Sequence, residues 1–147
     1  TRTYPANGRF TERQKQIYDI VLEGQQRVIA AIRPGRTLRQ LNQVLVDFYS
    51  EQLAAIGLLD HGMTVRDYYF HSVSHHLGLD THAVNIANLP LAAGMVITVE
   101  PGLYLEAEGI GIRIEDDVLV SENGAVNLSE KLPHTTEEIE TFMNKGE

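Results

Sequence analysis

The hydrophobic periodicity of this chain changes at Gly57, and that change limits the folds open to it. Before Gly57, apolar residues recur at the three- and four-residue spacing that lays them along one face of an α-helix. Ile17, Ile20, Val21, Val28, Ile29 and Ile32 make one stripe. Leu38, Leu41, Val44, Leu45, Phe48, Tyr49, Leu53 and Ile56 make a second. After Gly57, "GIGIRIEDDVLV" alternates strictly, with Ile110, Ile112 and Ile114 facing one way and Arg113 and Glu115 the other. That is the two-residue period of a half-buried strand. The helical stripes also carry start and stop signals. Thr11 with Gln14, and Thr37 with Gln40, have the spacing at which each side chain satisfies the other's backbone N–H. Pro34-Gly35 ends the first stripe, and Gly57 suits the position just past the second. Both stripes read as core faces without chemical duties.

The remaining segments extend the β pattern. "DYYFHSV" is aromatic and strand-like, and "GMVITVEPGLYL" is an apolar run broken at Pro101-Gly102. Glu122-Asn123-Gly124 reads as a hairpin turn with "AVNLS" as the return strand. "TTEEIETFM" reads as a short closing helix capped by Thr135 or Thr136. Two long helices followed by antiparallel-type strands predict an α+β domain with the helices against one sheet. At 147 residues and 43% hydrophobic content, with no repeat and no linker composition, the chain reads as one globular domain.

Charge and composition narrow the partners. A formal net charge of −8 argues against nucleic acid and anionic membrane surfaces, which call for a basic face. The absence of cysteine removes disulfides and thiolate metal sites. No apolar run approaches the ~20 residues that a membrane-spanning helix needs, and a cytoplasmic location is expected.

Chemistry concentrates in three places. "HSVSHHLGLDTH" holds His71, His75, His76 and His82, four of the six histidines. Glu100 ends the apolar run "MVITVE", where a carboxylate is costly unless paired or ligated. Glu115 stands on the strand face opposite the isoleucines. Imidazole plus carboxylate oxygens is a ligand set for a hard or borderline divalent ion such as Mn²⁺, Zn²⁺ or Co²⁺. A strand glutamate can equally sit in an ion pair, and Arg113 stands two residues from Glu115. A histidine can equally be a hydrogen-bonded core residue, and spacing alone leaves both readings open.

The words around these residues narrow the choice. "HSVSHHLGLDTH", "GMVITVEPGLY" and "GIGIRIEDDVLV", in that order and preceded by "TRTYPANGRFT", resemble the pita-bread metallopeptidases, in the aminopeptidase P and prolidase branch that cleaves Xaa-Pro bonds. The resemblance spans nearly the whole chain and implies the pita-bread fold. It implies that His75, Glu100 and Glu115 bind metal, with Glu115 bridging two divalent ions, Mn²⁺ first and Zn²⁺ or Co²⁺ as alternatives. Among the catalytic residues it implies His71, His82, Glu100 and Arg113. Glu100 would orient the nucleophile, His71 and His82 would hold substrate and stabilise or protonate the reacting amide, and Arg113 would hydrogen-bond within the site. His76 would be a wall. Two ions about 4 Å apart lower the pKa of bound water from about 15.7 to about 7, so a metal-bound hydroxide would attack the Xaa-Pro bond. The implied substrate is a peptide with proline second, from which the N-terminal residue is released. The "GIGIRIEDDVLVSENGAVNLS" stretch and the "TTEEIE" ending favour aminopeptidase P, with prolidase as the alternative. A non-catalytic peptide-binding module and a metal-free hydrolase are disfavoured by the intact His75, Glu100 and Glu115. A homo-oligomer is expected of the full-length protein.

The resemblance also implies what is missing. The family uses five ligands, two of them aspartates. One of these precedes the "TRT" word in an Asp-x-Thr-Arg-Thr order, and the other lies further upstream. Residues 1–147 are therefore expected to be a partial, C-terminal catalytic domain that lacks its first strands and is inactive alone. Ala83 stands where the family often has an acidic residue, and Ala93-Gly94 where it usually has Pro-Gly.

Overall fold

The computed structural model describes residues 1–78 and 88–144. Helix α1 spans Glu12–Ala31 and α2 spans Leu38–Ala55. Both open with the expected reciprocal caps: Gln14 N–H donates to Thr11 Oγ1 at 3.2 Å, and Gln40 N–H to Thr37 Oγ1 at 3.2 Å. Each cap is worth about 1 kcal/mol. Helix α2 closes at Gly57, whose φ of +75° favours a residue without Cβ. The Leu58 N–H then returns to the Leu53 carbonyl at 2.8 Å and the Gly57 N–H to Ala54 at 3.0 Å, which satisfies the helix's last carbonyls. The two helices pack on each other through the predicted stripes. Ile17, Val21, Val28, Leu41, Leu45, Tyr49 and Leu53 are fully buried, while Ile29, Val44 and Ile56 lie at the rim.

The strands are β1 (Val96–Val99), β2 (Gly102–Leu105), β3 (Ile110–Arg113), β4 (Asp116–Ser121) and β5 (Gly124–Asn127). Helix α3 (Thr136–Met143), capped by Thr135, follows. Among the described residues all pairings are antiparallel, in agreement with the predicted α+β class, and the strands form two sheets where one was expected: β1-β4-β5 and β2-β3. The alternating run 110–121 is split between them. Its period survives the break, since Ile112 and Ile114 are buried and Arg113 is exposed. Glu115 thereby stands in the short link between β3 and β4 and not within a strand.

A second correction concerns "DYYFHSV". No strand forms there; a short 3-10 turn over Val65–Asp67 leads into irregular chain. The aromatic residues spend their polar ends locally. Tyr68 donates its hydroxyl to the Leu58 carbonyl at 2.8 Å and Tyr69 donates to Asn42 Oδ1 at 2.7 Å. From Val73 onward the chain runs along the free edge of β1. Glu100 N–H donates to the Val73 carbonyl at 2.8 Å and Thr98 N–H to the His75 carbonyl at 2.9 Å. Backbone pairing of this kind covers a sheet edge that would otherwise carry unpaired groups.

Candidate metal centre and its pocket

Three segments converge at the junction of the two sheets. The edge chain brings His75, the end of β1 brings Glu100, and the β3–β4 link brings Glu115. One ligand atom from each lies within 4.8 Å of the others. His75 is held at several points. Its N–H donates to Thr98 Oγ1 at 3.0 Å, and its Nδ1 lies 3.0 Å from the His76 carbonyl. That contact makes Nδ1 the protonated nitrogen and turns Nε2 inward, 3.4 Å from Glu100 Oε1. A backbone carbonyl on the far ring nitrogen is the usual way of orienting a histidine ligand. The His75 and Glu100 side chains are only 13% and 15% exposed. Helix α1 steadies the same strand end: buried Gln25 donates Nε2–H to the Val99 carbonyl at 3.1 Å.

Glu115 is held differently. Its N–H donates to the Thr1 carbonyl at 3.0 Å, its carbonyl accepts from Arg2 Nη1 at 3.0 Å, and Thr1 Oγ1 donates to its carboxylate. Arg113 Nη2 stands 3.9 Å from Glu115 Oε2. The two carboxylates, drawn together beside an imidazole in partial shelter from water, repel each other, and a cation between them would relieve that repulsion. As a donor set, one nitrogen and carboxylate oxygens from two residues fit a divalent ion such as Mn²⁺, Zn²⁺ or Co²⁺.

The centre opens into a pocket of about 470 Å³ lined by His71, Ser74, His75, Glu100, Tyr104 and Arg113, among others. Four of the residues expected from the sequence therefore share one cavity, with Glu115 at its edge through the metal-ligand cluster. His71 Nε2 lies 2.9 Å from the Tyr104 hydroxyl. Burial pushes that hydroxyl above its ordinary pKa, the adjacent Arg113 guanidinium draws it part of the way back, and the Glu100 carboxylate raises it further. Tyr104 sits in an apolar stretch, and its face follows from the β2–β3 register. Glu100, Gly102 and Tyr104 have the same parity along β1 and β2, and Gly102 pairs with Arg113 across the β2–β3 ladder. A Cβ on Gly102 would lie 2.7 Å from the Tyr104 hydroxyl oxygen, so the glycine makes room for the tyrosine. Ser74, only 2% exposed, also reaches the pocket. His76 makes an isolated bridge to Ile97, its buried Nε2 has no hydrogen-bond partner among the described residues, and it is not among the residues that line the pocket. His82 and Ala83 lie outside the described residues.

An α+β frame carrying an imidazole–carboxylate cluster is compatible with a metal-dependent hydrolase, and comparison supplies the class. Residues 1–122 match the metallopeptidase family M24, and the chain belongs to that family. It is 40% identical over 162 residues to the Xaa-Pro aminopeptidase of Escherichia coli strain K12, covering 97% of this chain and 37% of that protein. Among solved structures, a candidate aminopeptidase P from Bacillus anthracis superposes with a TM-score of 0.91 at 49% identity, covering 97% of this chain and 34% of that one. Zinc-substituted Escherichia coli aminopeptidase P in complex with product superposes with a TM-score of 0.88 at 40% identity, over 97% of this chain and 37% of that one. The fold is thus the aminopeptidase P-like pita-bread fold. The chain spans about a third of the length of these relatives. None of its described helices is long and apolar enough to cross a membrane.

Proposed function

We propose that this chain is the C-terminal catalytic portion of a metal-dependent aminopeptidase that releases the N-terminal residue from peptides with proline in second position. The observation that carries the reading is the convergence of His75, Glu100 and Glu115, with ligand atoms within 4.8 Å of one another, on a pocket that also holds His71, Tyr104 and Arg113. His75, Glu100 and Glu115 would hold the metal, and two divalent ions, Mn²⁺ first, are proposed for the full-length protein. Such ions supply Lewis acidity and a water that ionises near neutral pH. Everything else falls to the chain's own side chains. The His76 carbonyl keeps the His75 Nδ1 proton in place and so keeps Nε2 facing the centre. Glu100, its backbone tied to Val73, can take a proton from the attacking water. His71 and Tyr104 share one proton-carrying contact, through which a proton can pass towards the departing proline nitrogen. Arg113 offsets the carboxylate charge. His82 is assigned a catalytic role from its motif alone.

The remaining ligands would come from the Asp-x-Thr-Arg-Thr word, of which this chain has Thr-Arg-Thr. Within the chain, Thr1 Oγ1 donates to the Glu115 carboxylate, so the Thr-Arg-Thr word itself meets the centre. A cytoplasmic, homo-oligomeric full-length protein is part of the proposal. The test compares Xaa-Pro-Yaa with Xaa-Ala-Yaa peptides, using the full-length protein and the 147-residue chain, with and without chelator. The reading expects the full-length protein to cleave only the proline peptide, to stop on chelation, and to recover with Mn²⁺; the isolated chain should be inactive. Equal cleavage of both peptides, or cleavage indifferent to chelation, would refute it.

A further inference from the structure

A second cavity of about 620 Å³ adjoins the candidate centre, and we propose that it is a subsite for the carboxylate end of a short peptide substrate. The inference rests on the peptidase reading and concerns what that reading leaves open, namely how the chain beyond the proline is held. The cavity is lined by Asn42, Arg66, Tyr69, Phe70, His71 and Ser72, among others. Phe70, His71 and Ser72 also line the pocket of the metal centre, so the two cavities meet along this short ridge. A peptide bond positioned between the metal cluster and His71 has this cavity within the reach of one or two further residues, at roughly 3.5 Å per residue.

The orientation of Asn42 gives the cavity its chemistry. Asn42 Oδ1 accepts two hydrogen bonds from the wall, from the Tyr69 hydroxyl at 2.7 Å and from the Val73 N–H at 3.1 Å. The Val73 amide can only donate, so the oxygen end of the side chain is fixed towards the protein. The Nδ2 end makes no hydrogen bond among the described residues, and Asn42 lines the cavity. Arg66 brings a guanidinium to the same space. A pre-oriented amide donor beside a planar cation is a receptor for a carboxylate, and guanidinium–carboxylate contacts are among the stronger polar interactions available. Phe70 supplies the apolar part. It is 71% exposed yet held in place, stacked on Tyr104 at 4.9 Å between ring centroids and edge-on to His71 at 6.1 Å. An exposed, immobilised ring on the ridge between two cavities can receive the side chain of the residue after proline at little entropic cost.

The test uses the full-length protein with Mn²⁺ and two substrates, the tripeptide Xaa-Pro-Leu as free acid and as C-terminal amide. The wild type is expected to favour the acid by about 10-fold in kcat/KM, chiefly through KM, the worth of one charge-assisted contact. Arg66→Gln removes the cation. Asn42→Asp keeps both accepted hydrogen bonds but turns an acceptor where the donor stood. Each should bring the acid-to-amide ratio close to 1 while cleavage of the amide stays within about 3-fold of wild type. Phe70→Ala should lower the preference for Leu over Gly after proline without altering the acid-to-amide ratio. A wild-type ratio near 1, or a ratio unmoved by both Arg66→Gln and Asn42→Asp, would overturn the subsite. Failure of the wild type to cleave either peptide would overturn the peptidase reading itself.

Discussion

Glu115 and Asp116 are neighbours in the chain and opposites in their surroundings. Asp116 is 3% exposed; its Oδ1 lies 2.8 Å from Arg2 Nη1, and its Oδ2 accepts from Asn127 Nδ2 at 2.8 Å. The charge is matched by a cation as deeply buried as itself, and the pair ties the start of the chain to β4 and β5. Glu115 points the other way, into a space it shares with His75 and Glu100. The side-chain cation recorded beside it, Arg113, stands 3.9 Å off and is 44% exposed. One carboxylate closes a structural ion pair; the other is placed with a second carboxylate and an imidazole in a half-sheltered pocket. A fold spends burial on the first arrangement for its own integrity. The second costs stability through like-charge repulsion and makes physical sense as a receptor for a cation.

That contrast can be broken most forcefully at Arg2. Arg2→Ala leaves Asp116 buried without its cation, and loss of one partner of a buried pair costs about 3–5 kcal/mol. Urea denaturation of the full-length protein should show this as a marked drop in midpoint, or as failure to fold. A cost under about 1 kcal/mol would mean that water reaches Asp116 and that the two carboxylates are less different than their burial says.

Gly102→Ala sharpens the site's side of the comparison. The new Cβ would meet the Tyr104 hydroxyl at 2.7 Å and the Ile112 carbonyl at 3.1 Å. Overpacking of this kind costs about 1–3 kcal/mol, and here the easier relief is to move the tyrosine off His71. Turnover is expected to fall by roughly an order of magnitude or more while the bound metal is retained. A variant that turns over as fast as the wild type would show that the His71–Tyr104 contact carries no catalytic weight.

The smallest effect expected is at Arg13 and Glu108, an exposed pair remote from both carboxylates. The Arg13 guanidinium, through its hydrogen bond, holds the Glu108 carboxyl below the ordinary carboxylate range. A carboxyl with a depressed folded-state pKa contributes stability above its unfolded pKa of about 4.3, and that contribution is lost as pH falls through the folded value. Glu108→Gln should therefore lower stability by about 0.5 kcal/mol at pH 7 and by less at pH 3. An equal effect at both pH values would remove the ion pair from the explanation.

The same contrast explains what the sequence disclosed. The helices were legible because their determinants are local: Thr11 and Gln14, or Thr37 and Gln40, lie within one turn, and the stripes need only the helical period. Glu100 and Glu115 were legible as carboxylates in apolar words, and His75 as part of a histidine cluster. The path of residues 67–77 was not. Tyr68 and Tyr69 look like strand residues, but their hydroxyls bind Leu58 and Asn42, partners 10 and 27 residues away. The split of one alternating run into two sheets was equally hidden, because the period persists through the Ile114–Glu115 link. Tyr104 was concealed in an apolar word whose face became clear only with the β2–β3 register. Asn42 lies between the stripe residues Leu41 and Val44 without belonging to the stripe, and only its two accepted hydrogen bonds reveal what it holds.

The central claim is that His75, Glu100 and Glu115 form a cation receptor while Asp116 is purely structural. It is tested most directly by measuring metal stoichiometry and metal-free thermal stability together, in the full-length protein, for Glu115→Gln and Asp116→Asn. Glu115→Gln is predicted to lose at least one equivalent of bound metal and to keep, or slightly raise, its metal-free melting temperature. Asp116→Asn is predicted to melt several degrees lower and, while folded, to bind metal in full. Undiminished metal stoichiometry in Glu115→Gln would contradict the account.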